Sequence, residues 1–318
     1  MTYSFQFVKS TSYKHQCYTF YVSHKSTKNI MLLLLILINA IQNVISTPPP
    51  ILVQPRHVHL ALGEVKGTFS VSWSTINKTE QSIVIVYIKG KELGFKGESF
   101  LFVDGGEKKS SQWIHKVVVS GLDGDTNYRY IVGSYVGWSD VFTMQTLPTG
   151  KYIMMETSNK VSVKHVGSNW SPHLAMFGDM GNENAVSLPL IQREVDAGHF
   201  DAVIHVGDMA YDMAELDGLR GDIFMEKIEP IASQVPYMTC PGNHEWHYNF
   251  TNYKARFNMP FDQRNNMFFS YDIGPVHFVS VSTEFYYFLN YGYMQVGIRI
   301  CIVKLYPHFM MTSGQEPV

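Results

Sequence analysis

The chain has 318 residues, length for about two domains, and its 45% hydrophobic and 16% charged content excludes wholesale disorder. Its 25 Lys plus Arg against 27 Asp plus Glu give a formal net charge of -2, which excludes a basic surface built for nucleic acid. Three cysteines exclude a disulfide scaffold. The first element in chain order is an apolar run: residues 31–38 read MLLLLILI, and the run continues patchily to 45. It falls well short of the ~20 residues of a spanning helix. With Lys25 and Lys28 ahead of it, it reads as the core of a secretory signal. Residues 1–46 are therefore read as a leader, with Met31 as an alternative start, and no stable membrane span is expected. Sequons at Asn77, Asn169 and Asn249 are glycosylation candidates that agree with a secretory route, outward or to a lysosome.

Residues 50–148 read as all-β. Seven short strands are expected, at 58–62, 68–75, 82–89, 99–103, 114–120, 127–134 and 138–146. Phe69, Val71 and Trp73 alternate with serines and share one face. Lys89-Gly90, Asp104-Gly105-Gly106 and Asp123-Gly124-Asp125 are turn signals. Seven strands in about 100 residues make a sandwich. Tyr128, after Gly121-Leu122-Asp123, is placed for a tyrosine corner, bonding its hydroxyl back to the preceding loop. Without a cysteine pair, the sandwich is expected to be fibronectin-III-like.

Residues 149–170 look polar and patternless and are read as a linker or insertion. From 171 to 295, short apolar runs alternate with helical segments. Strands are expected at 174–177, 202–206, 235–240 and 276–282, and helices at 183–197 and 217–233, with Pro189 an objection to the first. Such alternation implies a mainly parallel α/β sheet, with ligands beyond the carboxyl ends of its strands. Three strands end alike, in Gly178-Asp179-Met180-Gly181, Gly207-Asp208-Met209-Ala210-Tyr211-Asp212 and Gly242-Asn243-His244-Glu245. Asp179 precedes Asp208 by 29 residues, and Asp208 precedes Asn243 by 35. Oxygen donors converging at adjacent strand ends suit hard cations. His205 reads as a core residue or a support behind the ligands, His277 as a core residue, and His57, His59 and His115 as sandwich residues without a partner pattern; Cys240 reads as a small buried residue. Glu245 reads either as a support for His244 or as an exposed carboxylate.

This triple resembles the metallophosphoesterases, and a tyrosine three residues after the second Asp narrows the resemblance to the purple acid phosphatases. The resemblance covers roughly 50–148 and 170–295, and includes Ser282-Thr283-Glu284. It implies a fibronectin-III-like β-sandwich followed by a metallophosphoesterase α/β sandwich, so the fold class is α/β plus all-β. It also implies a dinuclear site of Fe(III) with a divalent Fe, Zn or Mn. Asp179 and Tyr211 would bind the ferric ion, Asp208 would bridge, and Asn243 would bind the divalent ion. His244 would be catalytic, facing the phosphate and protonating the leaving group. The implied reaction is hydrolysis of a phosphate monoester by metal-bound hydroxide in acid.

The family completes its site with three further histidines, in a Gly-His-Arg type loop and a later Gly-His-x-His, and neither motif occurs here. Residues 296–318 no longer resemble the family. Four of seven ligands remain, so the chain reads as a C-terminally truncated acid phosphatase whose activity as it stands is left open. Two alternatives stay open: a phosphodiesterase or nucleotidase of the same superfamily, and a non-catalytic secreted binding protein built on the sandwich. Whether the chain is a monomer or a homodimer is also open.

Overall fold

Alternating inward residues and turn glycines produce the first half of the molecule. In the computed structural model, which describes residues 6–8, 17–19, 50–148, 151–157, 160–166, 170–260, 266–282 and 284, the chain divides into two compact units, Met1–Pro49 and Pro50–Val318. In the first unit β1 (Gln6–Val8) pairs antiparallel with β2 (Cys17–Thr19). The apolar run at 31–45, Asn169, Cys301 and the tail at 296–318 lie outside the described residues. No helix among the described residues is long and apolar enough to cross a membrane.

The second unit opens with the short helix α1 (Pro50–Val53) and continues into the sandwich strands. These are β3 (Arg56–Leu62), β4 (Phe69–Thr75), β5 (Ser82–Ile88), β6 (Lys91–Val103), β7 (Ser111–Val119), β8 (Asn127–Ser134), β9 (Gly137–Trp138) and β10 (Phe142–Gln145). Neighbours run β10-β8-β5-β6-β7-β4-β3, with β9 on β8. The two sheets share β6: Lys91 to Gly97 pair with β5, and Glu98 to Val103 pair with β7. Val71, Trp73, Val84, Val86, Val117, Tyr130 and Val132 are buried between them. The tyrosine corner is present, with the Tyr128 hydroxyl accepting from Asp123 N–H at 2.9 Å. His115 lies flat on Trp73, ring centroids 5.0 Å apart. Its nitrogens face the Thr75 and Ser82 hydroxyls, each at 2.8 Å.

The stretch read as a linker instead contains a hairpin, β11 (Lys151–Thr157) with β12 (Lys160–Val166). The alternation Val161-Ser162-Val163-Lys164 carries the period-two signal that its polarity obscured. Beyond it, β13 (Leu174–Phe177), β14 (Ala202–Val206) and β15 (Tyr237–Cys240) form a parallel sheet, connected through α2 (Leu188–Asp196) and α3 (Leu219–Ala232). Pro189 is tolerated because it sits in the first turn of α2, where its missing N–H had no helical partner. Ile191 and Val195 form the buried stripe of α2, and Phe224, Met225, Ile228 and Ile231 that of α3. Then come α4 (His247–Arg256) and the antiparallel pair β16 (Phe268–Ile273) and β17 (Val276–Val281). His277 is an exception to the core reading: it is exposed, with Nδ1 2.6 Å from Asp272 Oδ1. A strand that is solvated on one face leaves room for such a pair.

Sandwich and parallel sheet share one hydrophobic core, from Val58 through Trp73 and Tyr130 to Phe224 and Tyr253. Polar contacts cross between them. His59 Nε2 lies 2.7 Å from Tyr237 O, the Tyr130 hydroxyl donates to Ser233 O at 2.7 Å, and Val58 N–H donates to Glu229 at 2.9 Å. Arg256 is buried, donating to Asp222 at 2.6 Å, Asn252 at 3.0 Å and Gly218 O at 2.9 Å, over the Phe102 ring.

Candidate metal centre

The three polar motifs meet because their strands are in parallel register. Phe177 is paired with His205, and Val206 with Cys240, so the residues beyond each strand end lie side by side. Backbone bonds continue past the strands, from Asp179 N–H to Gly207 O at 3.2 Å and from Gly207 N–H to Cys240 O at 2.8 Å. The turns are strained where the donors sit. Asp179, Asp208, Tyr211 and Asp212 have φ of 56°, 51°, 51° and 73°. Left-handed backbone at a non-glycine residue costs ~1–3 kcal/mol and gathers at functional sites. Gly242 is required by close approach, since a Cβ there would lie 2.3 Å from Asp208 Oδ1.

Two pairs of contacts define the centre. The Tyr211 hydroxyl donates to Asp179 Oδ1 at 3.0 Å, and His244 N–H donates to Asp208 Oδ1 at 3.1 Å. The Tyr211 and His244 rings lie 4.6 Å apart, which joins the two pairs. The hydrogen bond to Asp179 pushes the Tyr211 phenol above its usual range. Asp179 and Asn243 are exposed, while Asp208, Tyr211 and His244 are half-buried. Thus Asp179 touches Tyr211, and Asp208 touches the loop of Asn243 and His244.

Glu245 settles an open alternative differently from either reading. It is buried and does not hold His244. Its Oε2 accepts from Asp208 N–H at 2.9 Å and Gly242 N–H at 2.8 Å, and its Oε1 from Met209 N–H at 2.9 Å. The carboxylate therefore bolts the second motif to the third. Burial raises its pKa to about 7 against those bonds. Asp212 holds His244 instead, with Oδ1 3.2 Å from Nδ1 and 3.4 Å from His247 Nδ1. Asp212 stood in the second motif without a role, and His247 did not stand out in the sequence. The available signal was their distance of one residue from Tyr211 and three from His244. Arg220 steadies the Tyr211 turn by donating to Tyr211 O at 3.3 Å.

His205 is a core residue, as expected. It is fully buried, with Nδ1 2.8 Å from the Tyr237 hydroxyl, and burial lowers its pKa to about 3. Cys240 is half-buried and free. Among the sequons, Asn77 is half-buried and Asn249 is exposed.

The donor set is two carboxylates, a phenol and an amide. Among the described residues, no three His, Cys, Asp or Glu side chains converge as a metal-holding group. Among the described residues, the candidate donors thus include a phenol and an amide beside the two carboxylates. All four donors are oxygens and suit a hard cation, and the Tyr211–Asp179 contact brings two of them to one point.

Both halves of the second unit match known domains. Residues 55–146 match the purple acid phosphatase N-terminal domain, and residues 172–312 match the calcineurin-like phosphoesterase family. The chain is 43% identical over 243 residues to acid phosphatase type 7 of Mus musculus, covering 76% of this chain and 51% of that protein. For acid phosphatase type 7 of Homo sapiens the identity is 40% over 240 residues, covering 75% and 51%. The chain thus spans about half the length of these relatives. A purple acid phosphatase from yellow lupin (Lupinus luteus) seeds shares the fold, with TM-score 0.56 and 21% identity over 71% of this chain and 44% of that one. With both domains matched in order and the motif tyrosine in contact with the first aspartate, the chain belongs to the purple acid phosphatase family.

Proposed function

We propose that the chain functions as a metal-dependent acid phosphatase acting on phosphate monoesters. The observation that carries the reading is the Tyr211–Asp179 contact beside the Asp208–His244 contact, at the strand ends of a family-matched phosphoesterase domain. Asp179 and Tyr211 would hold Fe(III), Asp208 would be shared, and Asn243 would hold divalent Fe, Zn or Mn. Bound ions would supply positive charge to the phosphate and lower the pKa of water. The chain's own contribution is orientation. Glu245 fixes the Asp208 and Gly242 backbones. Asp212 holds Nδ1 of His244, which leaves Nε2 to carry a proton to the leaving oxygen. The leader and the sequons at Asn77, Asn169 and Asn249 support a glycosylated protein that is secreted or lysosomal.

The test is metal content and the visible spectrum of the purified full chain, with hydrolysis of an aryl phosphate in acid. We expect two metals per chain and a phenolate-to-iron band that Tyr211→Phe abolishes. Metal-free, colourless and inactive protein would overturn the reading. A second reading, a non-catalytic secreted binding protein built on the sandwich, stays as the alternative. That reading predicts this null result.

A further inference from the structure

Beside the candidate centre runs a row of rings that the chemistry above does not use. Trp246 and His247 have centroids 4.7 Å apart, and Tyr248 follows His247 at 6.3 Å. Trp246 and Tyr248 are each 46% exposed, although large aromatics are where burial is most rewarded. The backbone holds them out. Tyr248, Asn249 and Phe250 have φ of 51°, 63° and 58°, a left-handed turn of three non-glycine residues that sterics disfavour. The sandwich supports the row from one side, since a Cβ on Gly105 would lie 2.0 Å from the Tyr248 ring. The row also reaches the centre. Asp212 Oδ1 is within 3.4 Å of His247 Nδ1 and within 3.2 Å of His244 Nδ1, and the His244 ring lies 4.6 Å from that of Tyr211.

We propose that Trp246, His247 and Tyr248 form a leaving-group subsite, and that the preferred substrates are phosphate monoesters of planar aromatic alcohols. This rests on the phosphatase reading. A phosphate drawn to cations held by Asp179 and Asp208 would set its ester oxygen toward His244, and the group behind that oxygen would meet the ring row. A planar ring stacks there, whereas a puckered aliphatic ring of equal size does not. An aromatic contact changes affinity by about three- to tenfold.

The experiment compares phenyl phosphate, cyclohexyl phosphate and inorganic phosphate on the metal-supplemented full chain, by calorimetric binding and by KM and kcat. We expect phenyl phosphate to bind about three- to tenfold more tightly than cyclohexyl phosphate. Trp246→Leu and Tyr248→Leu should shrink that ratio toward one through KM, while Trp246→Phe and Tyr248→Phe, which keep a ring, should preserve it. Equal binding of the two esters to the parent chain overturns the subsite alone, whether or not any variant folds. A ratio unchanged in both folded leucine variants does the same. Failure to bind or turn over any of the three ligands overturns the phosphatase reading, and the subsite with it.

Discussion

The sandwich and the parallel sheet solve the same problem with different completeness. In the sandwich, two sheets share β6 and face each other, so inward residues from Val71 to Val132 are buried. The parallel sheet buries one face on α3, where His205 meets Phe224. Its other face is covered at Met238 but open at Met176, 59% exposed, and Val206, 52% exposed. Parallel sheets are ordinarily covered on both faces. Three short strands cannot supply that cover themselves, and β15 is held by β3 across the shared core, through His59 at Tyr237 and Leu62 at Met238. The lesson is that the two domains read from sequence pack into one compact unit over a shared core, with the loops of the candidate centre on the less covered part.

The largest expected effect tests that unity. Arg256→Ala removes a buried guanidinium and strands Asp222, which should cost about 3–5 kcal/mol in urea unfolding. One transition should shift as a whole. A variant in which the parallel sheet unfolds first, leaving the sandwich intact, would break the comparison.

Acid should come next. Burial holds His59 and His115 down to about 4 and His205 to about 3, while an unfolded histidine titrates near ~6.5. The unfolded chain therefore binds more protons between those values. This histidine contribution is complete above pH ~6.5 and falls as pH drops toward 4, by up to ~1.4 kcal/mol per pH unit for each histidine, with Glu245, raised to about 7, acting in the opposite sense. His115→Gln, which keeps polar atoms for Thr75 and Ser82, should remove one histidine's share of that slope. An unchanged slope would exclude His115 as a source of the acid sensitivity.

The smallest effect sharpens the contrast. Val206→Thr lies on the open face and should change stability by less than about 0.5 kcal/mol. The same change at Val203, fully buried on the other face, should cost about 1–3 kcal/mol, because it buries a hydroxyl without a designed partner. Equal costs would mean that the Val206 face is covered in solution.

What could be read from sequence follows how local each signal is. Strands β4, β5, β8, β13 and β14 were legible from alternation or short apolar runs between turn residues. The first half of β6 was not, because its residues 91–94 are exposed and lack an apolar rhythm. Helix α4 was missed for a related reason: its first turn is left-handed and breaks the period of 3.6. Asp179, Asp208, Tyr211 and His244 stood out because the motif holds each beside a turn glycine or at fixed spacing. The role of Glu245 was invisible, since its partners Asp208 and Met209 lie 37 and 36 residues away in the chain. Asp212 as the holder of His244 is likewise a product of the fold, joining residues 32 apart.

The contacts that cross from sandwich to parallel sheet also set an order of events during synthesis. His59 waits for Tyr237, 178 residues later, and the Tyr130 hydroxyl waits 103 residues for Ser233. At ~5–20 residues per second, the first wait lasts roughly 10–35 seconds. Once β10 has emerged, about halfway through it, the sandwich is made but one flank, including His59 and Val58 N–H, is still facing water. Closing such distant contacts is slow and exposes apolar surface meanwhile. The nascent chain therefore carries its greatest aggregation risk late, after the sandwich has formed and before β15 arrives.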